Sequence, residues 1–181
     1  MHSFEEKTLE SKPIFNGKII EVQVDQVSLP NGENSTRELV KHPGAVAVIA
    51  LTEENKIVFV RQYRKPLEKA LVEIPAGKLE EGEQPETTAI RELEEETGYT
   101  TDHLQLIQSF YTSPGFSDEI VHLYLADQLQ VLDTPKLLDE DEFVERMELT
   151  LEETEELVEK QEIHDAKTVY ALLYLKLRGM K

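Results

Sequence analysis

Two apolar runs close together constrain this chain most. Ala45-Val-Ala-Val-Ile-Ala-Leu51 and Lys56-Ile-Val-Phe-Val-Arg-Gln62 are rich in β-branched residues and flank the turn Glu53-Glu54-Asn55, which reads as two central strands of a sheet. Upstream, Ile20, Val22 and Val24 alternate with polar residues and predict a strand from Lys18 to Val27. Leu29-Pro30-Asn31-Gly32 then turns the chain into a returning strand, Ser35 to Lys41. Further strands are expected at Leu104–Thr112 and Glu119–Ala126. Pro85 at an entry, acids in the first turn and Gly98 at an exit predict a helix over Glu86–Thr97. Thr150–Lys160 and His164–Leu177 read as two more helices, the last burying Ala166, Val169, Leu172, Leu173 and Leu175. Mixed strands with a few helices predict an α/β sandwich, a mixed sheet covered by helices.

With 181 residues, 39% of them hydrophobic, the chain can bury one main core with a small extra element. The expected organisation is an N-terminal strand piece, 1–43, followed by the main domain, 44–181. A formal charge of −18, from 37 acidic against 19 basic residues, repels phosphate backbones and anionic membrane surfaces, so neither nucleic acid nor membrane is an expected partner. A small polyphosphate substrate is compatible only where cations neutralise the site locally. Cysteine is absent, which removes disulfides and thiolate zinc sites and favours a reducing interior. Met1 to Glu10 shows no apolar core of a signal segment, and no stretch reaches the roughly 18 apolar residues of a membrane span. A cytoplasmic location is the expectation.

The chemistry is concentrated between Gly77 and Tyr99. On a helix Glu92, Glu95 and Glu96 stand at i, i+3 and i+4, so their carboxylates share one arc, while Ala89, Ile90 and Leu93 occupy a neighbouring arc suited to a sheet. Carboxylates crowded together repel, and a hard divalent cation is the simplest remedy. Magnesium prefers oxygen ligands in a mixture of carboxylate, water and substrate phosphate. Arg91 can pair with Glu95 one turn on, and glycines at 77, 82 and 98 permit the loop before the helix and the stop after it. An acidic calcium-binding loop is excluded at Asp139–Glu142, which lacks the glycine and spacing such a loop needs.

This segment resembles the Nudix box: Gly, five residues, Glu, seven residues, Arg-Glu, an apolar residue, any residue, Glu-Glu, any residue, Gly and an apolar residue. The seven fixed identities fall at Gly77, Glu83, Arg91, Glu92, Glu95, Glu96 and Gly98, with Leu93 and Tyr99 at the apolar positions. The resemblance implies an α/β/α sandwich that hydrolyses a nucleoside diphosphate linked to another group, using Mg2+ or Mn2+. In members acting on ADP-ribose a proline lies 16 positions after the last box glycine, and 98 plus 16 is Pro114. Similarity to the bacterial ADP-ribose pyrophosphatase branch extends over Arg37-Glu38, Gln62-Tyr63-Arg64, Glu73-Ile74-Pro75-Ala76-Gly77 and Asp139-Glu140-Asp141-Glu142.

Carried over position by position, the resemblance makes Glu92 and Glu96 metal ligands, with Glu95 close enough to share, and adds the backbone carbonyl of Ala76. Arg64 would contact the diphosphate, Arg37 beside Glu38 would reach a neighbouring subunit's substrate, and Ser113, Pro114 and Glu119 would line the ribose end. The box helix is occupied with metal, so the general base is expected outside it: Glu140 is favoured, with Glu142 as an additional ligand. Similar enzymes pair as homodimers through N-terminal strands, and Val22, Val24, Leu39 and Val40 could supply an apolar contact face. Two alternatives remain open. One is a Nudix enzyme acting on other nucleoside diphosphate sugars or related nucleotides; the other is a silent, nucleotide-binding Nudix regulator, which predicts a damaged box.

Overall fold

The structure, a computed structural model, describes residues 4–134, 136–138 and 143–180. Its strands are β1 (Lys7–Asn16), β2 (Glu21–Ser28), β3 (Asn34–Lys41), β4 (Ala45–Leu51), β5 (Ile57–Arg64), β6 (Lys69–Glu73) and β7 (Ala76–Lys78), followed by helix α1 (Pro85–Thr97). Then come β8 (Tyr99–Thr100), β9 (His103–Tyr111), β10 (Ile120–Asp127), β11 (Gln130–Val131), β12 (Val144–Leu149), α2 (Leu151–Glu159) and α3 (Ala166–Leu177). The chain divides into two compact units, Met1–Gly44 with Tyr111–Ile120, and Ala45–Phe110 with Val121–Lys181.

The first unit is a three-stranded antiparallel sheet in the order β1-β2-β3. The expected hairpin is β2–β3, closed by Gly32, whose N–H bonds to Leu29 O at 2.9 Å with φ at 87°. β1 is an additional strand. It is exposed along its whole length, contains Pro13 and shifts register on either side of its centre, so it carries none of the apolar alternation from which strands are read. The segment before Ile120 joins this unit through Val40: its N–H donates to Phe116 O at 2.8 Å and its carbonyl accepts from the Asp118 N–H at 3.3 Å.

The second unit holds a seven-stranded mixed sheet. β10 runs parallel to β4, while β5, β6, β7 and β12 enter antiparallel. Alternation along β4 sorts the core onto two faces. Val46, Val48 and Ala50 pack with Ala89 and Leu93 of α1; Ala47 and Ile49 pack with Leu151, Ala171, Leu172 and Leu175 of α2 and α3. The unit is therefore an α/β/α sandwich. Ala166 and Leu173, both expected in the core, are exposed, because the buried stripe of α3 runs through Thr168, Ala171, Leu172 and Leu175.

The sheet parts where the site forms. β4 and β5 pair only at Ala50↔Val58 and Leu51↔Ile57; beyond that β6 follows the edge of β5 and β7 follows β4. Pro75 lies between β6 and β7 and, lacking an N–H to give a ladder, contributes its carbonyl to Val48 N at 2.8 Å. The chain is thus led from the opening directly into the glycine at position 77 and on to α1. α1 begins with Pro85 at its first position and ends on Gly98, left-handed at φ 73°, whose N–H caps Glu94 O at 3.0 Å.

Candidate active site

Glu92 and Glu96 are only 7% and 6% exposed, so their surroundings must offset the loss of hydration. Glu92 lies against the backbone of β7: a β-carbon on Gly77 would stand 1.9 Å from the Glu92 carboxyl carbon. Only glycine leaves that space open. Glu96 accepts the Ala76 N–H through Oε2 at 3.0 Å. The box carboxylates are therefore seated on Ala76-Gly77, the stretch that follows the parting of β4 and β5.

Arg91 supplies positive charge among these acids. Its Nη1 donates to Glu92 Oε1 at 2.8 Å and Glu95 Oε2 at 3.0 Å, and its Nη2 donates to Glu83 Oε2 at 3.2 Å. Burial opposes the Arg91 charge, but Glu83, Glu92 and Glu95 outweigh it and raise the guanidinium pKa. Glu83 in turn is held below the usual carboxylate range, chiefly by Arg91, and accepts the Thr88 hydroxyl at 2.8 Å. The pairing of Arg91 with Glu95 read from spacing is present, together with Glu83, Glu92 and the Lys78 carbonyl as further partners.

Among the described residues no three His, Asp or Glu side chains gather as a group that could hold a metal ion. Glu92 and Glu95 converge on Arg91, while Glu96 turns to Ala76 N. It is the Ala76 amide, not the carbonyl expected as a ligand, that makes this contact. The donor set nonetheless fits a hard divalent cation: it consists of carboxylate oxygens, two of the carboxylates are nearly buried, and Gly77 leaves a cradle for Glu92 that any side chain would fill.

Arg64, at the end of β5, meets Glu73, at the end of β6, in a two-bond fork: Nε to Oε1 and Nη2 to Oε2, both 2.7 Å. Its pKa is raised, first by that hydrogen bonding, against burial, and with contributions from Glu96 and Asp165. Arg64 thus lies within the electrostatic reach of the box helix.

The other expected substrate residues belong to the first unit. Arg37 on β3 is held by Glu6, with Nε to Oε2 at 2.8 Å, and Glu38 is its neighbour on the opposite face of the strand. Ser113 lends its carbonyl to Phe116 N at 3.1 Å and Ser117 N at 2.9 Å, forming the turn that contains Pro114. Glu119 takes the Thr112 hydroxyl, and His42 Nε2 stands 3.8 Å from its other oxygen. Glu140 and Glu142 lie outside the described residues. Spacing gave no sign of Lys167, His42 or Thr112; Glu73 falls within a segment that carries the resemblance, but no role was assigned to it.

Against known proteins, residues 41–173 match the NUDIX domain and residues 6–40 match the nucleoside diphosphate sugar hydrolase N-terminal domain. The chain belongs to the Nudix hydrolase family. It is 62% identical over 178 residues to an ADP-ribose pyrophosphatase of Bacillus subtilis, covering 98% of this chain and 96% of that one. It is 59% identical to a methanol dehydrogenase activator of Bacillus methanolicus, covering 97% and 95%. A crystal structure of an ADP compounds hydrolase superposes with a TM-score of 0.84 at 20% identity, covering 98% of this chain and 97% of that one, a likeness of fold. The damaged box that a silent regulator would carry is not found: all seven fixed positions are intact.

Proposed function

We propose that this enzyme hydrolyses the pyrophosphate bond of ADP-ribose, giving AMP and ribose 5-phosphate with Mg2+, or Mn2+ in its place. The observation that carries the reading is the intact box folded onto Ala76-Gly77, in a chain 62% identical to an ADP-ribose pyrophosphatase. Glu92, Glu95, Glu96, the Ala76 carbonyl and Glu142 would hold the metal. When bound, it neutralises phosphate charge and acidifies the attacking water. Arg64 binds the diphosphate through the guanidinium edge not committed to Glu73. Glu140 takes a proton from the water as its oxygen bonds to one phosphorus; the bridging P–O bond breaks, and its electron pair leaves on the other phosphate. Ser113, Pro114 and Glu119 form the ribose end, and Arg37 with Glu38 serves a neighbouring subunit's substrate.

In this reading residues 1–43 are dimerisation strands and 44–181 the catalytic domain, and the working unit is a cytoplasmic homodimer. Support for pairing comes from β1, which exposes Leu9, Ile14 and Phe15, each by more than half. Among the described residues no helix is long and apolar enough to cross a membrane.

Purified protein incubated with ADP-ribose, GDP-mannose, diadenosine polyphosphates and nucleoside triphosphates, with magnesium, tests the substrate assignment by chromatography of the products. ADP-ribose should have the highest kcat/KM; a preference for a triphosphate or GDP-sugar refutes the substrate and leaves the family intact. A second reading, action upon a dehydrogenase, is favoured by the Bacillus methanolicus relative. It predicts a change in dehydrogenase rate on adding this protein.

A further inference from the structure

Glu73 is 1% exposed at the end of β6, opposite Val60. A carboxylate so placed needs paired cations, and it has two. Arg64 approaches along one edge with its fork, and Lys167, from the first turn of α3, donates to Glu73 Oε2. Lys167 also donates to Asp165 Oδ1 at 2.9 Å. Asp165 is the N-cap of α3, where the same oxygen accepts Thr168 N–H at 3.2 Å. Thr168 Oγ1 accepts the Ile74 N–H at 3.1 Å. The start of α3 is therefore fastened to Glu73-Ile74, two residues before the backbone that receives Glu96.

This network divides charge. With Lys167 present, Glu73 shares its negative charge between two cations, and Arg64 keeps part of its positive field for another anion. Among the described residues Nη1 of Arg64 makes no hydrogen bond, so the edge not committed to Glu73 is open to a ligand. With the Lys167 charge removed, the whole of Glu73's charge would fall on Arg64, which would then be drawn toward Glu73 and weakened as a phosphate contact.

We propose that Lys167 is a positioning residue for substrate binding: through the buried Glu73 it sets both the orientation and the free charge of the Arg64 guanidinium that meets the diphosphate. The inference rests on the reading of Arg64 as a diphosphate contact. It ties the C-terminal helix, remote in sequence from the Nudix box, to recognition of the substrate.

The alternative is that Lys167 only fastens α3 to the sheet, and binding separates the two. Lys167→Met keeps the aliphatic stem and removes the charge, while Lys167→Gln keeps a hydrogen-bond donor and also removes the charge. Either variant should raise KM for ADP-ribose about tenfold, with the loss falling on KM rather than kcat. Affinity for a methylene-bridged, non-hydrolysable ADP-ribose analogue, read by calorimetry, should weaken by the same factor. Lys167→Arg should recover most of it. Arg64→Lys should raise KM by itself, and adding Lys167→Met to it should cost little more, because both act through one guanidinium. If Arg64→Lys weakens binding while both charge-removing variants bind as the wild type does, the positioning role is overturned and the diphosphate contact stands. Additive losses in the double variant likewise overturn it. If Arg64→Lys leaves binding unchanged, the reading of Arg64 fails and this inference fails with it.

Discussion

The carboxylate of Glu92 occupies the place where a side chain on Gly77 would begin, with both carboxylate oxygens within 2.4 Å of the position a β-carbon would take. The glycine at the head of the box is thus a partner of the helix 15 positions later, and a flexible loop is only part of its purpose. Gly77→Ala should push Glu92 out of its seat. We expect about 1–3 kcal/mol of lost stability from overpacking and a large loss of metal-dependent rate. Gly82→Ala is the control: a β-carbon there meets nothing within 4 Å, so only its φ of +80° is penalised. Denaturant melts and magnesium titrations of the two variants check this; a Gly77→Ala enzyme with wild-type magnesium dependence refutes the seating of Glu92.

Glu96→Gln removes one charge with little change in volume, and the amide oxygen can still accept the Ala76 N–H. The fold should survive, and stability without metal should hold or rise as carboxylate repulsion is relieved. Metal-dependent kcat should fall by orders of magnitude, because a proposed ligand of the metal is lost. An unchanged kcat at saturating magnesium would show that Glu96 is no necessary ligand.

Glu73 supplies an acid-stability test. Burial raises its pKa, but Arg64 and Lys167 prevail and bring it from 4.5 down to about 2. A depressed carboxylate stabilises the fold above its unfolded pKa and loses that contribution as pH falls through the folded value. The window therefore runs from about pH 4.5 down to about pH 2, and carries on the order of 3 kcal/mol. Urea midpoints of the wild type should slope downward through that range. Glu73→Gln should start lower at pH 7, because two cations lose their shared partner, and then show a flatter slope. Parallel slopes for the two proteins would remove Glu73 from the acid response.

The box was legible because its chemistry is local: Glu92, Glu95 and Glu96 recur at helical spacing, and the glycine, proline and acid signals around them fix where the helix starts and stops. The paired central strands were legible for the same reason, as apolar runs around one turn. What escaped was long-range or two-sided. Lys167 and Glu73 are 94 residues apart, and nothing in either neighbourhood marks them as partners. β12 places Arg146 and Glu148 near Thr97 and Tyr99, with Arg146 Nη1 on Thr97 O at 2.8 Å, in a stretch, Val144–Leu149, for which no strand was expected. β1, wholly exposed, offers no pattern of burial to read.

β1 also bears on assembly. Its outward residues include Leu9, Ile14 and Phe15, more apolar surface than an isolated exposed strand needs. Wild-type protein should sediment as a dimer at micromolar concentration, and Leu9→Asp with Phe15→Asp should produce a monomer. Deleting residues 1–40 should do the same while removing Arg37. A wild-type monomer under these conditions defeats the pairing.

The proton acceptor is the last assignment to test. In the proposed mechanism Glu140, 44 residues beyond Glu96 in the sequence, is the base, and Glu142 is an additional metal ligand. General-base assistance contributes about 10²–10⁴-fold, so Glu140→Gln should lower kcat on that scale while substrate and magnesium affinities stay near wild type. Glu142→Gln should instead raise the magnesium concentration needed for half-maximal rate, and excess metal should restore much of the loss. Rate profiles against magnesium for both variants separate the roles, because a missing base is not rescued by metal and a missing ligand is. If Glu142→Gln loses rate without any change in magnesium requirement and Glu140→Gln keeps its kcat, the two roles are exchanged; if neither substitution matters, the water is deprotonated by a group elsewhere in the site.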